Sequence, residues 1–74
     1  MPHLIDFIVP SGMVDSFKSK VLSFNFKSDE PLLTHHKHKV DDGFRYFTFE
    51  ADYIEDISVV SKMLPVGSKV FVSV

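Results

Sequence analysis

Cysteine is absent from this 74-residue chain, and glycine and proline are sparse, at three and four residues. Without cysteine there is no disulfide framework, no thiolate nucleophile and no cysteine-type zinc site, which fits a reducing compartment. The scattered glycines form no phosphate-cradling loop. No uncharged apolar stretch approaches the roughly 20 residues that span a bilayer. The first residues, Met1-Pro2-His3-Leu4-Ile5-Asp6, lack a basic start and carry an acid inside the first apolar run, unlike a signal peptide. Positive charge is not in excess either. A formal net charge of −2 gives no global pull toward nucleic acid or an anionic membrane surface. These absences predict a soluble, cytoplasmic protein with neither a membrane nor a DNA partner.

What is present is material for a core. Hydrophobic residues make up 45% of the chain, and eight phenylalanines supply large buried areas, so the chain is expected to fold. Residues 1–74 make a single domain, near the size at which only about 60% of the unfolded surface is buried and stability is marginal. No repeat, low-complexity tract or linker divides it.

Punctuation separates six segments. Residues 4–9 read as a strand closed by Pro10, and the position of Asp6 makes Ile5, Phe7 and Val9 the inner face. Ser11 is the expected N-cap of a helix in which Met13, Val14, Phe17, Val21 and Phe24 recur at three-to-four spacing. Residues 32–40 and 44–51 read as strands joined around Asp41-Asp42-Gly43, because Asp-Gly between strand-like runs is a hairpin signal. Asp52-Tyr53-Ile54-Glu55 has the pattern of a capping box, starting a helix whose expected inner stripe is Ile54, Ile57, Ser61 and Leu64, with Val60 and Met63 beside it. Pro65 and Gly67 end that helix. Residues 69–74 form a last strand with Val70, Val72 and Val74 on one face and Lys69, Phe71 and Ser73 on the other. The order is βαββαβ. This predicts an α+β, ferredoxin-like sandwich: a four-stranded antiparallel sheet with both helices on one face, the first and third strands central and residues 32–40 at an edge.

Little of the chain suggests catalysis. His36 and His38 fall on one face of their strand, but zinc usually wants at least three protein ligands. His3 lies beyond the third strand, and Lys37 and Lys39 repel a cation. A charged edge that resists strand-to-strand pairing explains this segment, so no metal or other cofactor is expected. Asp41 and Asp42 are turn residues, Glu55 a capping residue and Asp56 a first-turn acid favoured by the helix dipole. The serines have no nucleophile setting, and no enzyme is expected.

With Phe47 and Phe49 turned to the helices, Phe44, Tyr46, Thr48 and Glu50 face outward. Lys69 and Phe71 join them from the last strand, and Leu4, Asp6 and Ile8 from the first. Such a face is too apolar to be indifferent surface. The segment Gly43-Phe44-Arg45-Tyr46-Phe47-Thr48-Phe49-Glu50 resembles the longer ribonucleoprotein motif on the third strand of RNA-recognition-motif domains, which share the βαββαβ order. The resemblance implies that Phe44 and Tyr46 stack on bases, a contact worth ~1–3 kcal/mol per base. This chain departs from the family pattern at three places. Asp42 stands where a basic residue is preferred, Arg45 stands where a small one is usual, and the first strand offers no outward aromatic.

Two hairpin registers remain open. A two-residue Asp42-Gly43 turn pairs Lys39 with Tyr46 and Lys37 with Thr48, building a basic-aromatic patch. A three-residue turn pairs His38 with Tyr46 and His36 with Thr48. The expected function is a non-enzymatic binding or regulatory module for a protein partner or a second copy of the chain. It would act through the open face (Phe44, Tyr46, Phe71, Leu4, Ile8, Lys69) or by strand addition at the edge (His36, Lys37, His38, Lys39). Small stand-alone proteins of this style often modulate a larger machine, phage-encoded inhibitors among them. The alternative is a single-stranded RNA binder carried by Phe44, Tyr46, Phe71, Lys37, Lys39 and Lys69.

Overall fold

Alternating inner and outer residues build the two central strands, β1 (His3–Pro10) and β3 (Phe44–Ala51). The computed structural model describes residues 2–73, with only the backbone described for Val40, Asp41, Val72 and Ser73. The remaining elements are a 3-10 turn at Ser11–Met13, α1 (Val14–Ser23), β2 (Leu32–Asp41), α2 (Ile54–Met63) and β4 (Lys69–Ser73). All strand pairs are antiparallel, in the spatial order β2-β3-β1-β4. Sheet and helices thus form an α+β domain with β1 and β3 in the middle.

The core lies between one sheet face and the helices. Ile5, Phe7 and Val9 come from β1, Phe47, Phe49 and Ala51 from β3, and Val14, Phe17, Val21, Ile57 and Val60 from the helices. At its centre the rings of Phe7, Phe17 and Phe47 touch pairwise, with centroids 5.4, 5.8 and 5.9 Å apart. Such aromatic contacts add about 0.5–1.5 kcal/mol each beyond the area they bury.

The helix stripes differ from expectation at their ends. Met13 sits in the 3-10 turn and is exposed, and Phe24 lies where the chain turns extended, so neither belongs to the buried stripe. Phe26 of the following loop does that work: it packs on Phe49 at 5.1 Å and on Phe24 at 4.9 Å. Ser11 provides no side-chain cap. Its N–H instead donates to the Gly43 carbonyl at 2.9 Å, tying the 3-10 turn to the hairpin.

The capping box does not form either. Tyr53 is the N-cap residue of α2 without a side-chain bond, and Glu55 pairs with Lys27 at 3.0 Å on the surface. Ser28, from the loop before β2, instead fixes the entry to the helix: its hydroxyl accepts N–H bonds from Asp52 (2.9 Å) and Tyr53 (3.4 Å). Asp56, only 2% exposed, accepts the Ser28 hydroxyl proton at 2.6 Å and the N–H groups of Ser28 (2.8 Å) and Lys27 (2.9 Å). The buried stripe of α2 is therefore Asp56, Ile57 and Val60, while Ile54 and Ser61 are exposed. A carboxylate with this many donors can sit in the buried stripe of a helix.

The hairpin closes with a two-residue turn, Asp41 opposite Phe44, and Gly43 at φ +80° takes the left-handed conformation the turn needs. Beyond Val40↔Arg45 the next pair is His35↔Phe47, so residues 36–39 all lie opposite Tyr46. This three-residue shift is odd and exchanges the two faces of β2. On the other edge, Phe71 is the extra residue between Phe7↔Val70 and Asp6↔Val72. The expectation for the Val72 and Ser73 side chains and for Val74 lies outside the described residues.

Two predictions follow from this packing. Phe17→Ala or Phe47→Ala should each cost ~3–5 kcal/mol in urea unfolding, and two harmless substitutions would contradict the core. For Asp56, burial raises the pKa, but the Ser28 hydroxyl and the Lys27 and Ser28 N–H groups outweigh it and hold the carboxyl below its ordinary value. Its stabilisation is present above the unfolded pKa and is lost as pH falls through the lower folded one. Asp56→Asn should destabilise by about 1–3 kcal/mol at neutral pH. The difference from wild type should shrink in acid, and a pH-independent difference would contradict the assignment.

Candidate functional site

The sheet face opposite the helices carries Leu4, Asp6 and Ile8 of β1 opposite Glu50, Thr48 and Tyr46 of β3. The rings of Tyr46 and Phe71 stack at 5.8 Å with planes 16° apart. Their strands flank β1, so their backbones are two strand spacings apart, roughly 9.6 Å. The rings therefore lean toward each other over β1. Ile8, between Tyr46 and Lys69 in register, is only 4% exposed and is removed from the expected contact surface. Phe71 remains 54% exposed, Lys69 is exposed, and Leu4, Phe44 and Tyr46 are half-buried.

A polar chain runs beside this ring pair. Thr48 donates its hydroxyl proton to Asp6 Oδ1 at 2.5 Å, and His36 Nε2 lies 2.6 Å from the same Thr48 oxygen. A threonine hydroxyl has one proton. Since it goes to Asp6, His36 must hold a proton on Nε2 and donate it to Thr48. Asp6, His36, Lys39, Tyr46, Thr48 and Phe71 line a cleft of about 330 Å³ on this face.

Neither open hairpin register holds along the whole edge strand: the two-residue turn sets Asp41 and Val40, and the pairing shifts before His35. Lys39 lines the cleft together with Tyr46, and the His36 side chain reaches Thr48 although Thr34 is the backbone partner of Thr48. The bulge at 36–39 makes both possible. Lys37 and His38, the other edge-strand candidates, are exposed and do not line the cleft. The Asp6–Thr48–His36 chain is the feature that sequence reasoning missed. Its signal was Asp6, a lone acid at an outward position of an apolar central strand, which comes opposite Thr48 once β1 pairs with β3. Among the described residues no three His, Asp or Glu side chains gather as a metal site, and no helix is long and apolar enough to cross a membrane.

Arg45 takes the helix side opposite Val9, and its Nη1 donates to the Phe44 carbonyl at 2.9 Å. His35 is also turned to that side by the bulge and stacks on Phe47 at 4.6 Å. Its Nε2 is shut from solvent with no hydrogen-bond partner among the described residues. Comparison of the chain with protein-family models, with curated proteins and with solved structures finds no match.

Burial first, then the charges of Lys18, Lys37 and Arg45, push the His35 pKa below its ordinary 6.5. The unfolded chain then binds the proton more readily than the fold does. The stability held by neutral His35 is complete above the unfolded pKa of 6.5 and is lost as pH falls from there through the depressed folded value. His35→Phe keeps a ring on Phe47 and removes the titration. Its melting temperature should fall less than that of wild type between about pH 7.5 and about pH 5.5. An equal fall would contradict this account.

Proposed function

We propose that this chain is a small non-enzymatic binding module, a ferredoxin-like sandwich whose outward sheet face takes a protein partner and so modulates a larger assembly. The carrying observation is the Tyr46–Phe71 stack, an aromatic pair held on the solvent side of the sheet with Phe71 half exposed. Aromatic residues held rigidly at low entropic cost are typical anchors of protein interfaces. The strand order β2-β3-β1-β4 with the core on one side supports the ferredoxin-like reading and leaves this face uncovered.

The polar chain gives no support to catalysis. In a nucleophile triad the histidine receives the hydroxyl proton, whereas here it donates to the hydroxyl. RNA binding is the second reading, favoured by Phe44 and Tyr46 on the open face with Lys39 close by. It ranks lower for three reasons. Phe71 already occupies one side of the Tyr46 ring, Asp6 places negative charge at the middle of the face, and the net charge of −2 provides little neutralisation of phosphates.

Photocrosslinking from a benzoylphenylalanine at position 71, in the native host, tests this proposal. The expected outcome is a protease-sensitive, nuclease-resistant adduct that Tyr46→Ala diminishes. A nuclease-sensitive adduct, or no adduct at all, would overturn it.

A further inference from the structure

The geometry points to a recognition pocket for a guanidinium group, so that the partner presents an arginine side chain to Asp6 and the Tyr46–Phe71 rings; this rests on the protein-binding reading above. Asp6 is a half-buried carboxylate at the centre of the face, with the Thr48 hydroxyl as its hydrogen-bond donor and no ion-pair partner among the described residues. A partner that covered the face without bringing donors would strand that charge in a dry interface.

The direction of the proton chain sets the chemistry of the ligand. The Thr48 proton is taken up by Asp6 and the His36 Nε2 proton by Thr48, so the chain has no proton left to offer at those atoms. What remains are acceptors: the free lone pairs of Asp6 and, in neutral imidazole, His36 Nδ1. The occupant must therefore be rich in donors. It must also present a flat face to the rings beside Asp6. A guanidinium meets both demands, because its planar fork bonds a carboxylate bidentately while its weakly hydrated face stacks on aromatic rings. A lysine ammonium meets only the first. The cleft, at about 330 Å³, is at the small end of ligand sites and suits one side chain.

A second copy of this chain is a poor source of the arginine. Its single arginine, Arg45, lies on the helix side and bonds the Phe44 carbonyl. The partner is thus a different protein. Lys39, exposed on the same cleft, separates the alternatives, since it opposes a cation there and favours a nucleotide phosphate.

Amide NMR titration of the labelled chain with blocked arginine (N-acetylarginine methylamide), blocked lysine, AMP and randomised single-stranded RNA is the test. Arginine should shift the amides of Asp6, Tyr46, Thr48 and Phe71 with a midpoint on the order of 1–10 mM, with lysine weaker. Asp6→Asn keeps an acceptor for Thr48 but should weaken arginine about 10-fold or more, whereas Lys39→Gln should strengthen it. No arginine shifts up to about 100 mM, or shifts that Asp6→Asn leaves unchanged, would overturn the pocket. If RNA is also silent in that case, the protein-binding reading stands without it. AMP or RNA binding that Lys39→Gln weakens would overturn both.

Discussion

The contact among Phe7, Phe17 and Phe47 governs the rest of this molecule. It joins both central strands to the first helix through three rings within 6 Å of one another. Strand side chains alternate with a period of two, so fixing Phe7 and Phe47 inward also fixes Asp6, Ile8, Tyr46 and Thr48 outward. The face proposed for binding is thus the reverse side of the core. A domain this small has few other buried contacts with which to hold that register.

The edges then shape what the centre presents. On one side, the 36–39 bulge turns His35 onto Phe47 and brings His36 to Thr48. On the other, the single-residue bulge at Phe71 accompanies a ring that reaches across β1 to Tyr46. Bulges commonly re-aim side chains in this way. Here two of them convert a flat sheet into a cleft with an aromatic pair, a carboxylate and a histidine of defined proton order.

Much of this was legible where the signal is local. The hairpin around Asp41-Asp42-Gly43, though not its turn length, the alternation of Phe44 through Glu50, the order of the elements and the central place of β1 and β3 are all written in short segments and stand as read. Features that rest on distant partners were not legible. Asp56 read only as a first-turn acid, and its burial was hidden because its donors lie 28 and 29 positions away in the loop at Ser28 and Lys27. Ile8 read as exposed because strand alternation is local, whereas its burial depends on what the flanking strands place around it. The edge strand offered two uniform registers, and the fold uses a bulge that neither contained.

The central claim is that the outer face is a preformed site, with a fixed proton order and a closed ring pair, before any partner arrives. Long-range proton–nitrogen NMR of the histidine rings, combined with ring-to-ring nuclear Overhauser effects in the free protein, tests it most directly. The account predicts a proton on Nε2 of His36 and close contact between the Tyr46 and Phe71 rings. His36 protonated on Nδ1 alone, or rings with no contact in the free chain, would contradict it.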